Sequence, residues 1–261
     1  MTIYCKTCGA PNEDDAVYCE KCGAALEKGI PEEVRGTKGT GDILSEALDV
    51  LSKNSMMVVP YLIPMVLTLI SISVTWGSIF SVNKIGPGEF EFGTEALYEN
   101  ALAFAGVASV LGILSWIAST AATAFAIVMT YSAVNGKKLT LSQAWEKIGA
   151  GKIIILLIAA IITGILTILG LLALCIGAVI VAILLVFVKQ GILIDNLELG
   201  ETFGNSYRIA KKNFWDIVIL GIVYIILAVI AGIIPFLNAI LSPVVSLYGT
   251  VAFTLLYLDR R

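Results

Sequence analysis

The chain has 261 residues, 58% of them hydrophobic and 14% charged, with mean hydropathy +0.92 and a net charge of −3. That composition excludes an ordinary soluble domain and points to a polytopic membrane protein. There is no histidine, which removes imidazole as a metal ligand and as a general base.

Four of the five cysteines open the chain as Cys5-x-x-Cys8 and Cys19-x-x-Cys22, each pair followed by glycine, at Gly9 and Gly23. Each Cys-x-x-Cys turn supplies two soft donors, so the spacing predicts one tetrahedral zinc on Cys5, Cys8, Cys19 and Cys22. Iron suits the same cage, and disulfide pairing is the rival in an oxidising compartment. No apolar run precedes Cys5, so the ribbon is expected in the reducing cytoplasm, where metal wins. A module of residues 1–24 has almost no core, and metal would supply its folding energy, roughly 10–16 kcal/mol. Residues 1–28 carry Lys6, Lys21 and Lys28 against Glu13, Asp14, Asp15, Glu20 and Glu27, a net −2. That sign is wrong for phosphate contacts, so a protein partner is expected and nucleic acid is not. Tyr4, Val17 and Tyr18 are the candidate contact or packing residues.

Residues 25–41 are polar and glycine-rich, with Pro31, and read as a flexible linker. From Asp42 to Arg261 the chain reads as one all-α transmembrane domain. Residues 56–82 make a first span, in which Pro60 and Pro64 predict a kink or the point where the helix begins. Residues 101–134 read as one span. Residues 153–188 overshoot the hydrocarbon core as a single helix, so two spans with a turn between Gly170 and Gly177 are predicted. Residues 215–258 divide around Gly232 and Pro235.

Charge supports this count of six. With six spans, sixteen of the seventeen Lys and Arg fall in segments 1–55, 135–152, 189–214 and 259–261, leaving only Lys84 on the other side. The positive-inside rule then places both termini in the cytoplasm.

A repeat precedes alternate spans. Leu44-Ser45-Glu46-Ala47-Leu48, Leu141-Ser142-Gln143-Ala144-Trp145 and Leu199-Gly200-Glu201-Thr202-Phe203 share an order that predicts short amphipathic helices at 42–53, 140–148 and 199–213. Thr140 with Gln143 predicts a capping box, and Asp42 is the candidate N-cap of the first helix. On the third helix Phe203, Tyr207, Ala210 and Phe214 form the expected apolar stripe. The architecture is three hairpins, each led by an interfacial helix lying on membrane lipid.

The segment from Gly200-Glu201-Thr202-Phe203 to Asn213-Phe214-Trp215 resembles the junction before the fifth span of the membrane domain attached to glycerophosphodiester phosphodiesterases. The ending Leu255-Leu256-Tyr257-Leu258-Asp259-Arg260-Arg261 is similar to that superfamily's terminus. The resemblance covers roughly 42–261 and implies fold and membrane location; the catalytic barrel of those enzymes is missing, so no activity is implied. The ribbon itself resembles those heading many archaeal and bacterial membrane proteins.

No catalytic constellation is found. Cys175 lies in an apolar run and reads as a small hydrophobe. Asp195, Glu198 and Glu201, near Lys189 and Arg208, read as a solvated interfacial face. The expected function is therefore non-enzymatic: a multi-pass cell-membrane protein displaying a cytoplasmic zinc ribbon for docking or regulation. The alternative is a transporter or lipid-handling protein with an accessory ribbon, built on helices broken at Pro60, Pro64, Pro235 and Pro243. A cavity reaching mid-membrane would favour that alternative.

Overall fold

The computed structural model describes residues 2–4, 11–13, 21, 38–82, 94–172, 175–233 and 235–261. The chain divides into two compact units, Met1–Lys38 and Gly39–Arg261. In the first, strands β1 (Thr2–Tyr4) and β2 (Pro11–Glu13) pair antiparallel, with Thr2 opposite Glu13 and Tyr4 opposite Pro11. The linker expected over 25–41 lies mostly outside the described residues.

The second unit is all-α. Helix α1 (Thr40–Lys53) leads through a 3-10 turn, Ser55–Tyr61, into α2 (Leu62–Val82), and α3 (Thr94–Val134) follows. Helix α4 (Leu141–Leu172) pairs with α5 (Cys175–Leu184), which breaks and resumes as α6 (Val188–Leu193). Helix α7 (Leu199–Lys212) precedes the pair α8 (Phe214–Gly232) and α9 (Pro235–Arg260). Six stretches of these helices are long and apolar enough to cross a membrane: Ser55–Val74, Ala105–Val134, Leu141–Leu172, Ile176–Leu193, Phe214–Gly232 and Leu237–Arg260. They form three hairpins, and α1, the head of α4 and α7 each lead one.

The sequence explains the breaks. Pro60 falls in the 3-10 turn and Pro64 in the first turn of α2, where a missing N–H costs nothing. The prolines therefore mark where the span begins rather than a kink within it. Pro235 opens α9 in the same way. Gly149 has φ 63° and ψ 161°, a conformation open essentially to glycine alone, and there the amphipathic head Leu141–Ile148 turns into the span.

Exposed isoleucines run down α4 at Ile154, Ile158, Ile161, Ile165 and Ile168. Such a face would be an aggregation hazard in water and suits lipid. The last helix is the hub: half of the span Leu237–Arg260 is buried, against 17% of the spans in α4 and α8, and α9 touches α1, α2, α3 and α8. Its Val251, Leu255, Leu256 and Tyr257 pack with Ile127, Phe187 and Ile43 in the core.

The three amphipathic helices are present, with two corrections. Asp42 is not the N-cap of α1. Gly39 is, and its N–H donates to the Asp42 carboxylate at 3.2 Å, three residues into the helix. The same reverse bond runs from Thr140 N–H to Gln143 Oε1 at 3.0 Å and from Glu198 N–H to Glu201 Oε2 at 3.4 Å. Thr140 Oγ1 completes the expected box by accepting from Gln143 N–H at 3.3 Å. Aligned on these caps, Ile43, Ala144 and Thr202 are equivalent, as are Ala47, Ile148 and Ser206, and all six are buried. Helices α1 and α7 also end alike, with Asn54 and Asn213 donating side-chain bonds to the carbonyls of Val50 and Ile209. The true repeat is thus shifted by one turn in α1 from the register suggested by the Leu-Ser-Glu-Ala-Leu match. The second correction concerns the stripe expected on α7: Tyr207 is 48% exposed whereas Ala210 is buried, so the stripe does not lie on one face. Leu48 and Trp145 are likewise 60% and 47% exposed, while Ile43, Ala47, Ala144 and Ile148 face the bundle. Large apolar side chains flank the lipid side, and Trp145 stacks there on Phe125.

Candidate functional site

The best-built polar arrangement lies where α7 meets the broken fourth span. The break between α5 and α6 leaves backbone groups without helical partners. Val186 N–H takes the Ile183 carbonyl, so Phe187 N–H and the Leu184 carbonyl are orphaned. Ser206 of α7 repairs both: its hydroxyl accepts from Phe187 N–H at 3.1 Å and donates to the Leu184 carbonyl at 2.8 Å. One turn earlier, Thr202 Oγ1 donates to the Val188 carbonyl at 2.9 Å. Helix α6 can approach this closely because residue 191 is glycine; a Cβ there would lie 2.3 Å from Thr202 Oγ1.

The end of α9 is clamped onto the same corner. Tyr257 and Arg261 both donate to the Asp195 carboxylate. Asn205 Nδ2 donates to Tyr257 Oη at 3.0 Å, and Arg208 donates to Asn205 Oδ1 at 2.8 Å. Arg260 pairs with Asp216 at 3.1 Å and with Asp259 at 2.8 Å. Asp195 and Arg208 therefore belong to a structural network, whereas Glu198 and Glu201 remain exposed as read from the sequence. The network ties the loop after α6, helix α7 and both helices of the third hairpin together. An open groove of about 430 Å³ on α7 is lined by Leu197, Glu201, Gly204, Asn205 and Arg208.

A second pocket, about 220 Å³ and partly open at its surface, lies along the spans among α2, α3, α8 and α9. Hydroxyl side chains from all four helices line it: Tyr61, Thr68, Ser119, Tyr224, Ser242 and Ser246. Pro64 and Pro243 complete the wall. Nothing in the sequence brought these residues together, since they are spread from 61 to 246 and each reads alone as a helix-packing residue. Cys175 has no described side-chain surroundings. Among the described residues no cluster of His, Cys, Asp or Glu could hold a metal.

Cys5, Cys8, Cys19 and Cys22 lie outside the described residues. In sequence, Cys5 and Cys8 fall between the paired strands β1 and β2. Residues 4–26 match the zinc-ribbon domain family. All four cysteines fall within that match, which extends two residues beyond the expected ribbon of 1–24. Four thiolates in two Cys-x-x-Cys-Gly knuckles are a donor set that fits tetrahedral zinc. No curated protein and no solved structure matches the chain, and the comparisons give no support to the resemblance of residues 42–261 to the membrane domain of glycerophosphodiester phosphodiesterases.

Proposed function

We propose that the protein is a non-enzymatic cell-membrane protein whose zinc ribbon, on the cytoplasmic side, docks a protein partner or senses its presence. The observation that carries this reading is the family match at residues 4–26 at the head of a chain with six membrane-length helices. Zinc would supply structure there. With four thiolate ligands no coordination position is left open for a substrate, which suits a recognition module better than a reaction centre. The ribbon's net charge of −2 disfavours nucleic acid as its partner. The test is affinity capture in parallel with the full chain, Cys8→Ser and a chain lacking residues 1–38. A specific partner should be retained by the first and lost by the other two; equal capture by all three would remove the docking role.

The orientation has its own test. Sixteen of seventeen Lys and Arg on one side of six spans predicts that Glu91→Cys is labelled by an impermeant thiol reagent on intact cells. Lys138→Cys should be spared, each in a chain with its native cysteines replaced. The reverse pattern, or labelling of both, would overturn the topology.

A second reading, solute or lipid handling with an accessory ribbon, is favoured by one observation. That observation is the hydroxyl-lined cavity among α2, α3, α8 and α9.

A further inference from the structure

The pocket along the spans is unusual for its setting. A polar group buried in hydrocarbon without a partner costs free energy, so isolated hydroxyls in a span normally bond back to their own helix. Thr68 does this, donating to the Pro64 carbonyl at 2.8 Å. Tyr61 Oη reaches Thr250 Oγ1 at 3.3 Å. The hydroxyls of Ser119, Ser242 and Tyr224, in contrast, bond to no described residue; Ser119 and Tyr224 are half-buried and Ser242 is exposed. They come from three different helices and converge on one space.

Counted at 1.5 Å per residue, Tyr224 lies about 15 Å from the start of α8, Ser119 about 22 Å from the end of α3 and Ser242 about 27 Å from the end of α9. The three therefore run from the middle of a hydrocarbon core about 30 Å thick toward its far side. Pro243 lies inside α9 and cannot supply the N–H that would bond the Ala239 carbonyl, although the helix runs through it unbroken. The position of the Tyr224 ring is set by Gly249, where a Cβ would lie 2.6 Å from the ring.

We propose that this cavity is a binding site for a small uncharged polyol. The chemistry follows from the lining. Hydroxyls that can both donate and accept, those of Ser119, Ser242 and Tyr224, match a ligand whose own groups do both. The lining contains no charged side chain to balance an ion. A volume of about 220 Å³ corresponds to about seven waters at roughly 30 Å³ each, room for a polyol of three or four carbons. The inference deepens the solute-handling reading and is independent of the ribbon.

Glycerol is the probe. Saturation-transfer NMR on the purified full chain in detergent should show a glycerol signal that saturates with concentration and exceeds the detergent-only baseline. Ser119→Ala combined with Tyr224→Phe removes two hydroxyls at nearly constant shape and should lower that signal at least five-fold. Ser242→Ala, at an exposed position, should lower it about two-fold or more while keeping the melting temperature. Ser73→Ala, whose hydroxyl bonds its own helix at Leu69, should change nothing. Gly249→Ala, which pushes the Tyr224 ring, should alter the signal without touching any hydroxyl. No saturable signal with folded wild-type protein, or equal loss with Ser73→Ala, would overturn the site. Glycerol-driven swelling of proteoliposomes separates the two ideas: saturable binding without facilitated swelling keeps the site and removes solute passage.

Discussion

Purified without chelators, the full chain should carry about one zinc per chain, and Cys8→Ser should lose it entirely. The effect is expected to be large because metal and fold are one free energy in so small a module. Residues 1–38 form a compact unit of their own with two three-residue strands among the described residues. A unit of that size buries too little apolar surface to offset its chain entropy. Metal binding, roughly 10–16 kcal/mol in structural sites, is what remains to fold it. Removing one of four thiolates should therefore unfold the ribbon rather than loosen it. Limited trypsin digestion gives the readout. With metal, cleavage should fall in the linker at Lys28, Arg35 and Lys38; after Cys8→Ser or chelation, Lys6 and Lys21 should be cut as well. Melting of the membrane unit should be unchanged, because its core contains none of these residues. Elemental analysis that finds iron would keep the cage and change the ion. Metal that survives loss of both Cys5 and Cys8 would overturn the assignment.

Span number and breaks were legible in the sequence because they depend on length and on proline or glycine chemistry. Residues 153–188 could not cross once, and the structure ends α4 at Leu172 and starts α5 at Cys175. Which face of each helix turns inward was not legible. Lipid is as apolar as the bundle core, so hydrophobicity cannot separate Leu48 or Trp145 on the outside from Ala47 or Ala144 inside. Size does not separate them either, since Ile43 and Ile148 are as buried as Ala47 and Ala144. The register slip in α1 has a related cause. Four residues advance a helix by about 400°, so a one-turn shift moves a face by only about 40°. Periodicity tolerates that, and only the cap bonds of Gly39, Thr140 and Glu198 fix the phase. The Ser206 repair and the hydroxyl cavity depend on which helices become neighbours, and no local pattern records that.

Ser206→Ala should be among the most destabilising single changes in the membrane unit, although it deletes one oxygen. Its hydroxyl is fully buried and serves two backbone groups that the break after Leu184 leaves open. Alanine fits the space but satisfies neither. Each orphaned buried group costs about 1–3 kcal/mol, so the loss should reach roughly 2–5 kcal/mol. Water cannot easily take over, since Phe187 beside it is also fully buried and packs against Tyr257, with ring centroids 5.4 Å apart and the planes tilted by 50°. Thr202→Val keeps shape and removes only the bond to the Val188 carbonyl, so a smaller cost of about 1–3 kcal/mol is expected. Ser45→Ala is the control. That hydroxyl is exposed and bonds the Asp42 carbonyl within its own helix, and its loss should stay within about 0.5 kcal/mol. Denaturant melts of the detergent-solubilised protein would rank the three. The order Ser206→Ala, then Thr202→Val, then Ser45→Ala is the signature of α7 acting as a patch for a broken span. If Ser206→Ala melts with Ser45→Ala, the break is satisfied by other groups and α7 only lies against it.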